Sequence, residues 1–239
     1  RCHSHEGFLE YATTGGTIAV DFPKDWTCKT CHGVHETFEA TDYALRMSNP
    51  VAFIIDANLK PDFGNSNICM NCHQNRSKEP NQATPGSTFN VTIRLGPHHG
   101  PQGNIMYGNG FAEIPGTYTY PTAGSNVHLT ANARCVGCHM SPYGNAKGGH
   151  TWKPGVDGCN SCHAGDDLTS NFNYKNVQTE VQGLLTQLKG LLVTAGVIDA
   201  NNVPIPNSTC PMILAQAGFN YIGILEDRSL GVHNPGYVE

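Results

Sequence analysis

The chain has 239 residues, of which 38% are apolar and 14% charged, with 27 glycines, 15 prolines and ten cysteines. So low an apolar fraction, in a chain rich in turn formers, argues against a side-chain core filling the whole interior. The formal net charge of −5 speaks against a nucleic-acid partner, and no apolar run reaches the ~20 residues of a membrane span.

In chain order, the first feature is Arg1-Cys2-His3-Ser4-His5-Glu6-Gly7, which reads as the second half of a Cys-x-x-Cys-His unit whose first cysteine precedes Arg1. A start in mid-motif and an abrupt end at Glu239 suggest a chain trimmed at both ends. Complete units follow at Cys28-Lys-Thr-Cys31-His32 and Cys69-Met-Asn-Cys72-His73, with a short helix expected over 41–47 between them. The alternation Phe89, Val91, Ile93, and later Tyr118 and Tyr120, predicts short strands in a small β-hairpin. Two more units stand at Cys135-Val-Gly-Cys138-His139 and Cys159-Asn-Ser-Cys162-His163. Val181, Leu184, Leu185, Leu188, Leu191 and Leu192 then fall at helical spacing over 177–195, with Gly196 as a stop signal. Pro211 opens a second helix to about residue 225, giving a C-terminal helical hairpin.

Cys-x-x-Cys-His is the attachment pattern of c-type haem. The two thiols add across the haem vinyl groups, and the adjacent imidazole becomes the proximal iron ligand. Zinc would ask for two cysteine pairs per site, or a cysteine pair with a spaced histidine pair; here each cysteine pair brings its own histidine. Four haems are expected, with proximal ligands His32, His73, His139 and His163. A fifth is expected at Cys2 and His3, the alternative being a plain Cys2 thiol or a bridge to Cys210. Porphyrins then supply the missing apolar interior. The expected fold is mostly irregular and haem-cored, with a few α-helices and a minor β-hairpin. It forms one multihaem unit over 1–239, divided into an N-terminal haem segment (1–123), the third and fourth motifs (124–170) and the helical hairpin with its tail (171–239). Without haem the chain is expected to be unfolded. Because bacterial haem c is attached outside the cytoplasmic membrane, the expected location is extracellular or at the cell surface, with the periplasm as alternative.

A haem iron takes two axial ligands, and the second decides between carrying electrons and binding substrate. Seven further histidines are candidates: His98 and His99 in a rigid Gly-Pro-His-His-Gly-Pro turn, His128 ahead of Cys135, His150, His233 after the C-terminal helix, and His35 and His5 for neighbouring haems. Met70 lies inside a motif and Met140 directly after one, so bis-histidine ligation is the expected arrangement.

These motifs, with the Cys-His-Ser-His-Glu-Gly start, the His98-His99-Gly-Pro-Gln turn, Gly-Gly-His150 and Gly-Val-His233-Asn-Pro, resemble the multihaem c-type cytochromes of metal-reducing anaerobes, including exported members that form filaments. The resemblance implies closely spaced bis-histidine haems passing electrons along a row. The expected role is electron transfer without catalysis, toward redox partner proteins or an extracellular acceptor, with a homopolymer linked by a shared histidine as one form. The competing reading is a multihaem reductase of a small nitrogen or sulfur oxyanion, which needs an open iron; no Cys-x-x-Cys-Lys marks one.

Overall fold

The structure, a computed structural model, describes residues 1–33, 37–81, 86–166, 168 and 171–239. The candidate ligand His35 lies outside the described residues. The described chain is mostly irregular between short helices, with a C-terminal helical pair and one small antiparallel sheet, as the composition and patterning predict. It folds as two compact units, one of residues 1–52 and 60–72, the other of 53–59 and 73–239.

In the first unit, helix α1 (His5–Thr14) starts where the Ser4 side chain accepts the Gly7 N–H and stops at Gly15 in the left-handed region. Helices α2 (Cys28–Cys31) and α3 (Asn67–Met70) are single turns, too short to persist alone. Their surroundings hold them. Backbone bonds from Gly33 N–H to Ala44 and from Arg46 N–H to Cys31 strap α2. The Arg46 guanidinium donates to the Lys29, His32 and Gly33 carbonyls, acceptors that a helix end leaves without internal partners. The helix expected over 41–47 contracts to a 3-10 turn, Ala40–Tyr43, because the chain extends from Ala44 onward to make this strap. Beneath α3, the buried Asn67 accepts from Phe63 N–H and donates to the Ser48 carbonyl and Asp62.

The second unit holds β1 (Thr88–Asn90), α4 (Gln102–Tyr107), α5 (Val127–Thr130), α6 (Cys135–His139), α7 (Val177–Thr194), β2 (Thr209–Pro211), α8 (Met212–Asp227) and α9 (Pro235–Val238). The Asn173 side chain accepts from Gln178 and Thr179 N–H to open α7, and Gly196, at φ 68°, ends it. On α7, Val181, Leu185 and Leu192 are buried while Leu184 and Leu191 face outward. With Phe219 and Ala215 of α8, and with Val91, Leu95, Val197 and Ile198, they make a side-chain core. Each large aliphatic buried there contributes about 1.5–3 kcal/mol. Gly218 lets α8 pack against the segments carrying Val197 and Leu95: a Cβ there would stand 3.0 Å from Val197 and 3.1 Å from Leu95.

Strand β1 falls where the alternation around Phe89 predicts it, but its partner is β2, with Phe89 opposite Cys210. The alternating Tyr118 and Tyr120 serve packing instead of pairing. The Tyr118 hydroxyl donates to the Gly236 carbonyl, and Tyr120 packs edge-on to Tyr237 at 6.1 Å. No helix among the described residues is long and apolar enough to cross a membrane.

Candidate haem-binding sites

The sharpest geometry lies at the third and fourth motifs. Helix α6 presents His139 as its last residue, with the ring Nδ1–H donated to the Trp152 carbonyl at 2.8 Å. Its ring centre lies 6.2 Å from that of His233, from the segment after α8, with the ring planes 35° apart. The fourth motif repeats the arrangement: His163 bonds Asp166 through Nδ1 at 3.2 Å, and its ring centre lies 6.4 Å from that of His128 on α5. An imidazole bound through nitrogen at about 2 Å puts its ring centre about 3 Å from the metal, so two opposed ligands stand about 6 Å apart, centre to centre. Both pairs meet that requirement. A carbonyl only accepts, so a ring donating Nδ1–H to one keeps its lone pair on Nε2, the form a metal takes.

The two pairs are built on one buried node. The Asn126 side-chain amide donates to the carbonyls of Met106 and His233, while its oxygen accepts from His128 N–H. Burial lowers the pKa of His128, against backbone hydrogen bonds to Val232 and His233 that raise it. Burial likewise lowers His139. For His233 burial pulls the same way, but the charge and hydrogen bond of Asp227 outweigh it and the pKa is raised. The Cys138 thiol is pushed up to about 11 by burial, with the sulfurs of Cys159, Cys135 and Cys162 close enough to add.

A second gathering point is the C-terminal end of α8. Asp227, whose side chain is fully buried, accepts from His233 Nδ1–H at 2.7 Å and from the Ser229 hydroxyl and N–H. Glu226 pairs with His99 Nδ1 at 2.9 Å. The Gln102 amide donates to the Glu226 and Asp227 carbonyls, while its oxygen accepts from His73 Nδ1 at 2.9 Å. Three histidines distant in sequence are oriented from one helix end. The turn that brings His233 back under Asp227 passes through Arg228, Leu230 and Gly231 at positive φ, with Gly231 against Val181. Left-handed geometry at two non-glycine residues is costly and marks a turn fixed by its surroundings.

In the first unit, His32 donates Nδ1–H to the Tyr43 carbonyl at 2.7 Å. His5 Nδ1 lies 2.6 Å from the hydroxyl of Thr30, inside the first complete motif. The Cys2 sulfur points at the carbonyl of Asn71, inside the second motif, at 3.9 Å, and His3 is exposed. His98, at φ 68°, stacks at 4.9 Å on His99, and both are exposed. His150 is exposed on the 3-10 turn Gly149–Thr151. Cys210 is a buried thiol in β2, its pKa raised by burial.

Sequence reading singles out the histidines but misses the residues that orient them: Asn126, Gln102, Asp166 and Asp227. Asp166, three residues after the His163 it bonds, and Gln102, three residues after His99, have a local signal; Asp227 has none. A carboxylate six residues before a histidine is no motif, because a special turn must bring the two together.

Residues 118–164 match the family model of cytochrome c554 and c-prime. The matched stretch takes in His128 and the whole of the third and fourth motifs; His233 lies beyond it. No curated protein and no solved structure matches the chain. The match supports a c-type cytochrome, with haem c as cofactor and electron transfer as its role.

Proposed function

We propose that the chain is a multihaem electron carrier, with haem c on Cys28 and Cys31, Cys69 and Cys72, Cys135 and Cys138, and Cys159 and Cys162. The adjacent His32, His73, His139 and His163 are the proximal ligands, and Cys2 with His3 serves a fifth haem. His233 is the distal ligand of the third motif and His128 that of the fourth; the distal ligands of the other three haems are drawn from His5, His35, His98, His99 and His150. Bound haem c supplies one-electron oxidation and reduction at iron. At the third and fourth motifs the protein's own part is to fix the rings of His139, His163 and His233 through Nδ1, so that Nε2 is left for the metal.

The observation that carries this reading is the two pairs of imidazoles with ring centres 6.2 and 6.4 Å apart, each including the histidine of a Cys-x-x-Cys-His unit. A second imidazole at each of these irons leaves no position for a substrate, which favours a carrier over a reductase. The chain is proposed to act outside the cytoplasmic membrane, passing electrons to redox proteins or an extracellular acceptor. Cell-surface placement and filament assembly belong to the same proposal and rest on the family resemblance. Optical and EPR spectra of the air-oxidised holoprotein test it: wholly low-spin ferric signals are expected. A substantial high-spin fraction in intact protein overturns it in favour of an open-iron reductase.

A further inference from the structure

The imidazoles with a resolved Nδ1 partner differ in what that partner is. His32 and His139 face backbone carbonyls, and His73 faces the Gln102 amide oxygen, all neutral acceptors. His99 and His163 face carboxylates open to solvent, Glu226 with 26% and Asp166 with 40% of the side chain exposed. Only His233 among these meets a carboxylate with no exposure at all, at 2.7 Å. Solvent screens the first two carboxylates and does not reach the third.

A carboxylate accepting Nδ1–H draws the proton toward itself, gives the ring imidazolate character and makes Nε2 a stronger donor to a metal. Stronger donation and a nearby uncompensated negative charge both favour the ferric over the ferrous state, which carries one positive charge less. We infer that Asp227 is a positioning residue acting through His233, setting the iron held between His139 and His233 to a lower reduction potential than its Asp166-assisted neighbour between His163 and His128. Ser229 moderates it: the hydroxyl and N–H that it donates to Oδ2 compete with His233, bonded to Oδ1, for the charge of the carboxylate. The inference rests on the ligand pairs proposed above.

The test is a spectroelectrochemical titration of holoprotein at neutral pH, with EPR of the oxidised state, on wild type, D227N, D166N and S229A. The amide oxygen that D227N leaves in place can still accept from His233, so geometry is kept while charge is lost. D227N is expected to raise one titrating component at least tenfold in equilibrium constant, about 59 mV for a one-electron couple. D166N is expected to raise a different component by less. S229A is expected to lower the component that D227N raises, a change of sign that loosened structure does not produce. If D227N fails to keep its haems, the S229A shift alone decides. Low-spin wild-type spectra with potentials unmoved in D227N, or with S229A moving the component upward or not at all, overturn the inference and leave the electron-carrier reading standing. High-spin signals in wild type overturn that reading itself.

Discussion

Asn126 is the residue that links the two histidine pairs, through His233 of one and His128 of the other. Buried at 8% exposure, it spends its two N–H groups on carbonyls of Met106 and His233 and its oxygen on the start of the helix carrying His128. Truncation strands buried acceptors, which costs about 1–3 kcal/mol. N126A holoprotein is therefore expected to lose about 1–3 kcal/mol of stability in urea unfolding followed through the haem absorbance, with thioether attachment unchanged by denaturing mass. The contrast explains what could be read in advance at this scale. The Cys-x-x-Cys-His units are visible in sequence because the haem attachment and proximal ligation proposed for them demand a fixed local spacing. Asn126 and His233 are separated by 107 residues and share no pattern, so only the folded chain discloses their partnership.

Among the elements, α7 and α8 were readable because burial imposes a 3.6-residue period on a long segment. The observed α7 ends one residue short of the expected 195, and α8 runs two beyond 225, carrying Glu226 and Asp227 into position. Strand pairing was less readable: β1 and β2 are three residues each, and their partnership is set by the docking of α8, which follows β2 directly. The two faces of α7 make a direct comparison. Leu192 is fully buried in the core, whereas Leu191 is 67% exposed. L192A is expected to destabilise the second unit by about 2–5 kcal/mol, and L191A by no more than about 0.5, in thermal or urea unfolding followed by far-UV circular dichroism.

For the whole molecule, the composition foretold an interior short of side chains, and the structure apportions that shortage unequally. The second unit has an apolar core around α7 and α8, while the first buries fewer large apolar side chains, among them Phe8, Phe63 and Met70, and adds to α1 two single-turn helices and the strap formed by Arg46. Contrary to the expectation from composition that the haem-free chain is unfolded, the core around α7 and α8 means that haem-free protein is expected to retain a helical signal and to yield, on limited proteolysis with mass spectrometry, a surviving fragment containing residues 177–227. Cleavage should concentrate in residues 16–52; uniform degradation of the chain would show that even the second core needs haem. The mixture of acceptors behind the imidazoles also shapes how such a protein can change over generations. Where a backbone carbonyl holds the ring, as Tyr43 does for His32 and Trp152 for His139, any residue at that position offers the same oxygen, and drift leaves the site untouched. Where Asp227, Glu226 or Gln102 holds it, one codon change alters the site. The end of α8 is therefore a heritable tuning point, and because it serves three histidines at once, selection acting there adjusts them as a set.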